Sequence, residues 1–320
     1  MFFVCLGVEC NYMAARDSIR IAVHNGTYHT DDVFALAITV LWAHLRNFDC
    51  TMVRTRDMGD ISGCQVVLDV GGEYDPARHR LDHHQPSFTD KRENGIGYAS
   101  AGLAWKHYGM ELCQNNARAW QIVDDALIAG IDAIDVGINL AESVHSSGIM
   151  YPGLAYLTTL SQPTWQEELA NPDKAMNEAF WRMYEQAKQI VIRAITHARD
   201  YALAEDKVVE AYNNAVDKRI IIADFEYPAW VEALSKFPEP LYFVYQRSDK
   251  SWGAKGVRVN GWKSFEIRKN FPESWAGKTD EEFRSITGVS DARSAHRGRW
   301  FVIAQTREGV LELVKKSIEV

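Results

Sequence analysis

The stretch from residue 69 to residue 85 constrains this chain more than any other part of its sequence. It reads DVGGEYDPARHRLDHHQ and holds three aspartates, three histidines and two arginines within seventeen residues. Asp and neutral His are common protein ligands of Mn, Mg and Zn, and the run Asp82, His83 and His84 offers three donors in succession. We therefore expect this stretch to form half of a metal site. The other half should lie near residues 24–32.

Short apolar strands alternate with helical segments in the first half of the chain. Residues 19–23, 50–54 and 66–70 are β-type runs, and residues 31–42 form an apolar helical pattern between the first two. This alternation predicts a parallel sheet that is flanked by helices on both faces. Further helices are predicted at 98–108, 117–134 and 173–206, with a loop-like segment at 138–163.

The second half of the chain returns to β structure. Its predicted strands are 219–223, 241–246, 256–259 and 300–304, and its last helix is 306–318. Because 320 residues exceed the commonest single-domain size, we expect two domains. The predicted fold class is α/β, with a metal-binding catalytic domain at 19–206 that includes the long bridging helix. A smaller α/β substrate-binding domain follows at 207–320, with a hinge near 206–218.

Composition indicates an intracellular protein that is not embedded in a membrane. No apolar run approaches the roughly 18–20 residues that a bilayer span needs, and the apolar start of the chain is a poor signal peptide. The five cysteines are scattered without a C-x-x-C pair, so we expect free thiols and a cytoplasmic location. An organelle matrix or the nucleus stays open, as does the choice between Met1 and Met13 as the start.

Candidate metal ligands follow several separate strand or helix ends. In open α/β sheets, ligands gather at the carboxyl ends of the strands, which would bring these side chains to one edge. They are more numerous than one tetrahedral ion requires and would suffice for two divalent ions with Asp69 as a bridge, an arrangement suited to phosphoester hydrolysis. The set is His24, His29, Asp31, Asp69, Asp82, His83 and Asp132, with Asp135 one helical turn beyond.

Single members of this set have simpler interpretations. Asp31 could merely cap the helix that follows it, and Asp132 or Asp135 could be an ordinary carboxylate at a helix end. The run Asp82, His83 and His84 is harder to explain structurally, because three adjacent polar donors need partners if they are buried. The combination is therefore more specific than any one residue.

These motifs resemble a known family. The run 82–84 is similar to the signature of the DHH phosphoesterases, a superfamily that includes RecJ-type exonucleases and family II pyrophosphatases. Longer segments at 24–32, 69–75, 80–85, 132–137 and 306–309 resemble the melanocyte-proliferating-gene (MYG) family. The likeness covers about residues 19–318, which is nearly the whole chain.

The resemblance implies a manganese- or magnesium-dependent phosphoesterase with 3′–5′ exonuclease activity on RNA, in which Asp82, His83 and His84 are catalytic. It implies that His24, His29 and Asp69 hold one ion, that Asp31, Asp69, His83 and Asp132 hold the other, and that His84 contacts the scissile phosphate. Asp135 could replace Asp132. Many DHH enzymes have an aspartate where this chain has His29, so the preferred metal could move toward Mn or Zn.

The predicted second domain carries basic residues for an anionic substrate. Residues 250–320 hold 14 Lys and Arg against 9 Asp and Glu, although the whole chain has a net charge of −8. RecJ-like members have a glycine-rich stretch where this chain has His296, Arg297 and Arg299, whose side chains could bind phosphate instead. A second basic set, interleaved with Trp262 and Phe265, suits single-stranded nucleic acid: Arg258, Lys263, Arg268 and Lys269. The simpler interpretation is a solvated face.

The sequence thus predicts a phosphodiester hydrolase that uses a water activated by two divalent ions, Mn²⁺ above Mg²⁺ or Zn²⁺. RNA or a short oligonucleotide is the expected substrate, and a homodimer is an open alternative to a monomer. One rival is a small-molecule phosphatase or pyrophosphatase on the same site. The other is a metal-binding protein without catalytic activity, against which the retention of every candidate ligand argues.

Overall fold

The computed structural model describes residues 17–138, 140, 153–172 and 174–320. Met13 and part of the predicted loop 138–163 lie outside these residues. The chain divides into two compact units, Met1–Arg199 and Asp200–Val320. In the part of the chain that the structure describes, no helix is both long enough and apolar enough to cross a bilayer.

A mixed five-stranded sheet organises the first unit. Its strands are β1 (Ser18–Val23), β2 (Asp49–Arg54), β3 (Val66–Leu68), β4 (Tyr74–Asp75) and β5 (Arg80–Leu81). They lie in the order β2-β1-β3-β5-β4, and only β4 is antiparallel to its neighbour. The central strands β1 and β3 are apolar and buried along most of their length, as expected for parallel strands that helices cover. The predicted α/β class with a parallel sheet is confirmed.

Helix α1 (Thr30–Leu45) is buried along most of its length. It packs against α3 (Ser100–Leu112), and its Val33, Phe34 and Leu36 are fully shielded from solvent. Each such side chain contributes about 1.5–3 kcal/mol of burial free energy. The core therefore holds α1 firmly, and with it the two aspartates of its first turn, Asp31 and Asp32.

The helix predicted at 117–134 is interrupted by a change of helical type. It consists of α4 (Ala117–Val123), a five-residue π-helical segment (Asp124–Ile128) and α5 (Ala129–Asp135). A π-helical turn accommodates one extra residue and is common at functional sites. It changes which face each later residue of the helix occupies.

Three shorter helices complete the first unit before the long helix: α2 (Met58–Ser62), α6 (Leu154–Ser161) and α7 (Trp165–Ala170). Helix α6 corrects the prediction of a loop throughout 138–163. Its Thr158 side chain is buried against α1, where Oγ1 of Thr30 donates a hydrogen bond to Oγ1 of Thr158 over 3.0 Å.

Helix α8 (Ala175–Asn214) is 40 residues long and extends the helix predicted at 173–206. The segment 206–218, where the sequence predicts a hinge, is helical as far as Asn214. Its last turns remain helical since Val208 is fully buried in the core of the second unit. The division between the two units falls inside this helix.

A second five-stranded sheet organises the second unit, in the order β6-β7-β8-β10-β9. Strands β6 and β7 are parallel, and the remaining pairs are antiparallel. Helix α11 covers one face of the sheet, and α9 with the end of α8 covers the other. The elements are β6 (Ile220–Ala223), α9 (Trp230–Ser235), β7 (Tyr242–Gln246), β8 (Trp252–Gly256), α10 (Asp280–Thr287), β9 (Ala292–Ala295), β10 (Phe301–Ala304) and α11 (Arg307–Glu319).

The third predicted strand of this unit, 256–259, is wrong by several residues. The strand is β8, which contains two glycines and so lacks an apolar signature. Both glycines are required by close packing: a Cβ on Gly253 would lie 2.8 Å from the Phe301 ring, and one on Gly256 would lie 2.3 Å from the side chain of Ile267. Neighbouring side chains fill the space instead.

Candidate metal centre

Three parallel strands deliver the candidate ligands to one edge of the first sheet. His24 follows β1, Asp69 follows β3, and Asp82 follows β5, and these strands are neighbours in the order β1-β3-β5. Their carboxyl ends therefore meet, as ligand-bearing strands do in open α/β sheets. Asp69 has a left-handed backbone with φ of 55°, a conformation that Asp tolerates better than most residues and that often marks functional positions.

The first group of donors is formed by His24, Asp32 and Asp69, all buried. Nε2 of His24 lies 2.8 Å from Oδ2 of Asp32 and 3.4 Å from Oδ2 of Asp69. Burial alone would lower the pKa of His24, but the adjacent Asp32 and Asp69 carboxylates raise it to about 10. Without a metal ion, a proton on this imidazole therefore balances the two carboxylates.

His83 joins two further groups of donors. One consists of Asp69, His83 and His84, and the other of Asp31, His83 and Asp135. Nε2 of His83 lies 3.4 Å from Oδ1 of Asp69 and 3.3 Å from Oδ2 of Asp135. Burial works to lower the pKa of His83, whereas the Asp135 and Asp69 carboxylates raise it to about 11.

The N-terminus of α3 supports the carboxylate of Asp31. The backbone amides of Ser100 and Ala101 donate to Oδ2 and Oδ1 of Asp31 over 3.0 Å and 2.7 Å. The Ser100 hydroxyl lies 3.2 Å from Oδ1 of Asp69, to which it donates. A helix N-terminus favours negative charge. Burial nevertheless raises the pKa of Asp31 well above its ordinary value, and the nearby Asp69 and Asp135 raise it further.

Asp82 lies outside the three groups of donors and holds the loop around them. Its Oδ2 accepts from the backbone amide of Gly72 over 2.6 Å, and its Oδ1 accepts from the amide of His84 over 3.0 Å. Nδ1 of His84 lies 2.8 Å from the same oxygen. Gly72 has φ of 67°, which glycine adopts without strain. Asp82 thus orients the His84 ring, whose side chain is 62% exposed.

This donor set fits divalent cations. Asp69 and His83 each belong to two of the three groups, and the ligand atoms of each group lie within 4.8 Å of one another. Nε2 of His83 is buried, and although the Asp135 and Asp69 carboxylates lie 3.3 and 3.4 Å away, it makes no hydrogen bond of normal geometry among the described residues, as expected for an atom that a metal would engage. Mixed imidazole and carboxylate donors suit Mn²⁺ and Zn²⁺, and carboxylates suit Mg²⁺.

Comparison with known proteins places the chain in a family. Residues 20–318 match the family model of the MYG1 exonucleases, which is described as an uncharacterised protein family (UPF0160). The chain belongs to the MYG1 family. The resemblance seen in the sequence is therefore confirmed.

Two curated MYG1 relatives match over almost the whole chain. A MYG1 protein of Schizosaccharomyces pombe is 29% identical over 328 residues, covering 94% of this chain and 98% of the relative. The human MYG1 exonuclease is 30% identical over 334 residues, covering 93% of this chain and 85% of the relative. The prediction of a hydrolase is confirmed at the level of the family, whose curated members include proteins named exonucleases.

Among solved structures, RecJ of Thermus thermophilus in complex with Mn²⁺ matches with 12% identity and a TM-score of 0.25. The match covers 94% of this chain and 52% of the RecJ chain. A superposition this loose supports no conclusion about the site of this MYG1-family protein.

The structure distinguishes Asp132 from Asp135. Asp135 lies with Asp31 and His83, whereas Asp132 is fully buried beside Arg92. Nη1 of Arg92 lies 2.5 Å from Oδ2 of Asp132, and the amide of Gly102 donates to Oδ1 over 2.9 Å. Burial raises the pKa of Asp132 to about 7, even though Arg92 favours its charged form. Asp135, which the sequence offered as the replacement for Asp132, is therefore the aspartate at the donor cluster.

His29 belongs to none of the three groups of donors. It is exposed at the start of α1, and its ring centroid lies 6.1 Å from that of His24. It does line a cavity of about 270 Å³ together with Asp31 and Asp135. In this MYG1-family chain, His29 therefore lies beside the centre and within reach of a molecule in that cavity.

Of the residues predicted to bind substrate in the second unit, Arg268 has another role. Its guanidinium donates to the carbonyl oxygens of Phe237, Pro240 and Ser235 over 2.6, 3.0 and 3.1 Å. These hydrogen bonds hold the guanidinium against the backbone, so its role is structural. His296 and Arg297 are exposed, Arg299 is partly exposed, and Arg258 packs against two aromatic rings.

Three participants were not predicted from the sequence. Asp32 falls within the predicted helix 31–42 and carries no predicted ligand role, although an adjacent pair of aspartates in a first turn is a signal for one. Ser100 and Arg92 stand in segments without any ligand-like pattern. Only the tertiary fold brings Ser100 to Asp69 and Arg92 to Asp132.

Proposed function

We propose that this protein is a divalent-metal-dependent phosphodiester hydrolase, specifically a 3′–5′ exonuclease on RNA or short oligonucleotides. The observation that carries the proposal is that three adjoining groups of metal donors are linked through Asp69 and His83, each of which belongs to two of them. Adjoining cation sites with a bridging carboxylate are suited to phosphodiester hydrolysis. The curated MYG1 relatives that are named exonucleases support nucleic acid as the substrate class.

Two cations, Mn²⁺ in preference to Mg²⁺ or Zn²⁺, are proposed to bind here. His24, Asp32 and Asp69 would hold one of them, and Asp31, His83 and Asp135 the other, with Asp69 shared. When bound, the cations supply a strongly acidified water and neutralise charge on the phosphate. His29 is placed to contact the substrate in the adjoining cavity.

His84 is proposed to act on the phosphate directly. Because its Nδ1 faces the Asp82 carboxylate, the ring keeps a proton on Nδ1 and presents Nε2 as its second functional atom. Only when the ring carries both protons does Nε2 donate to a phosphate oxygen and pass a proton to the leaving oxygen. Asp82 positions the ring without contacting the substrate.

The second unit is proposed to contribute phosphate contacts through His296, Arg297 and Arg299. Arg297 is exposed, and it forms no ion pair with any residue in the described ranges. Arg side chains bind phosphate in a bidentate way. A cytoplasmic location remains the prediction from the scattered cysteines, of which Cys50, Cys64 and Cys113 are free thiols here.

The test is hydrolysis of RNA and DNA oligomers labelled at the 5′ or the 3′ end, in Mn²⁺, Mg²⁺, Zn²⁺ or EDTA. A 3′–5′ exonuclease gives a descending ladder from the 5′-labelled strand and a mononucleotide from the 3′-labelled strand. His83→Ala should lower the rate by more than about 100-fold, because loss of even an outer-shell partner of a metal ligand costs about 10–100-fold. His44→Ala, an exposed histidine on the same unit, is the matched control and should retain full activity.

The rivals are separated in the same experiment. Turnover of pyrophosphate or a phosphate monoester, without any oligonucleotide ladder, would establish the small-molecule phosphatase instead. Metal binding without turnover of any phosphoester would establish a protein that only binds metal.

A further inference from the structure

A short arm of the second unit carries two exposed aromatic rings, and its turn packs against α9, where Gly261 lies beside Ser235. It consists of residues 257–268, which turn back on themselves: the amide of Val259 donates to the carbonyl of Glu266, and the amide of Arg268 donates to the carbonyl of Val257, both over 2.9 Å. The three backbone carbonyls that Arg268 engages fix the base of this arm to the body of the unit. The arm is therefore a defined element rather than a free loop.

A guanidinium lies against both rings. Cζ of Arg258 is 4.6 Å from the centroid of Trp262 and 4.7 Å from the centroid of Phe265. Arg258 forms no ion pair with any described residue, and its Nη1 is buried without a hydrogen-bond partner there. The rings, not an acid, hold this cation, so its charge is not neutralised locally.

The rings are far more exposed than packing would require. Trp262 is 58% exposed and Phe265 is 84% exposed. Leaving two large rings in water forgoes the burial that normally stabilises such side chains, and exposed aromatic patches mark interaction sites. The arm also carries excess positive charge, since residues 257–268 include three basic residues and one acid.

We propose that Trp262, Arg258 and Phe265 form a stacking station for a base of single-stranded nucleic acid. A planar cation between two aromatic rings offers further flat faces of the kind on which nucleobases stack, and the basic residues beside it attract the phosphate backbone. We favour a nucleobase over a second copy of this chain, because a base offers a flat face for stacking and is attached to a phosphate that the basic residues attract. The inference rests on the proposed function, since it names where a base of the proposed oligonucleotide substrate binds.

The test measures binding in EDTA, where hydrolysis is prevented, by fluorescence anisotropy of labelled oligoadenylate. Phe265→Leu keeps an apolar side chain but removes the ring, and we expect it to weaken binding about tenfold, in line with the loss of one stacked base. Phe265→Tyr should restore binding. Phe225→Ala, which removes another exposed ring of the same unit, is the matched control and should change nothing.

An oligomer of the same length without bases separates stacking from electrostatics. Its binding should be insensitive to Phe265→Leu and should weaken with added salt. Equal affinity of Phe265→Leu and wild type for oligoadenylate would overturn the proposal. So would an equal loss for the abasic strand, or a change in oligomeric state that accounts for the loss.

Hydrolysis of bis(p-nitrophenyl) phosphate in Mn²⁺ distinguishes a failure of this proposal from a failure of the proposed function. Phe265→Leu should leave turnover of that small diester unchanged while raising KM for oligoadenylate. A wild-type protein that hydrolyses no phosphodiester would refute the proposed function. The stacking station would then still be supported or overturned by the binding measurements in EDTA.

Discussion

A Cβ atom on Gly102 would lie 1.8 Å from Oδ2 of Asp132, a separation that no side chain can accept. It would also lie 2.9 Å from Nη2 of Arg92. Glycine lets the backbone of α3 approach closely enough for its amide to donate to Asp132. The buried pair of Arg92 and Asp132 therefore sits directly against the helix that also holds Asp31.

Gly102→Ala should destabilise the protein, although alanine is the better helix former by about 1 kcal/mol. The forced displacement of Asp132 outweighs that gain, because overpacking typically costs about 1–3 kcal/mol. Urea denaturation measures the change. Gly130→Ala in α5 is the control, since its Cβ would meet only ordinary contact at 3.8 Å, and it should be neutral or stabilising. An unchanged midpoint for Gly102→Ala would contradict the packing described above.

Mn²⁺ should raise the melting temperature of the wild type, because binding to the native state alone adds about 2.7 kcal/mol at one hundred times the dissociation constant. Asp135→Ala should abolish most of this increase. In the metal-free protein it removes a partner of His83 but also relieves the repulsion of Asp31, so its stability should change less than that of Asp132→Ala. Asp132→Ala should cost about 3 kcal/mol in EDTA, because it breaks a buried ion pair. The reverse pattern in a thermal-shift titration would make Asp132 the ligand.

His79 should make the protein less stable in mild acid. Burial lowers the pKa of His79, and the nearby Arg80 lowers it further, while Nδ1 lies 2.8 Å from the hydroxyl of Tyr108. The unfolded chain binds a proton near pH 6.5 while the folded protein resists it, so stability falls as the pH falls below about 6.5. His79→Asn suits the left-handed backbone there, with φ of 54°, and should flatten this slope. Urea midpoints between about pH 5 and about pH 7.5 measure it, and parallel slopes would argue against the role of His79.

The sequence was most informative where a local motif carries the chemistry. His24, Asp69 and His83 could be placed at one sheet edge because each follows a short apolar strand and parallel strands share a direction. The choice between Asp132 and Asp135 could not be made, since it depends on where the π-helical segment changes the phase of the helix. Arg92 could not be foreseen, because no periodic pattern relates it to Asp124 or Asp132. Strand β8 was misplaced since its glycines conceal a buried strand.

The π-helical segment also fixes the number of residues that must separate Asp124 from Asp132, and this requirement is not visible in the identity of any one residue. Eight residues of regular α-helix would turn Asp132 about 80° away from Asp124. The wider segment absorbs this offset, so that both carboxylates reach Arg92. A deletion of one residue there would rotate every later side chain by about 100°. A relative with such a deletion would keep the equivalent of Asp135 in an alignment and yet turn it away from the metal centre, so insertions and deletions in this segment bear on activity as much as substitutions of the ligands.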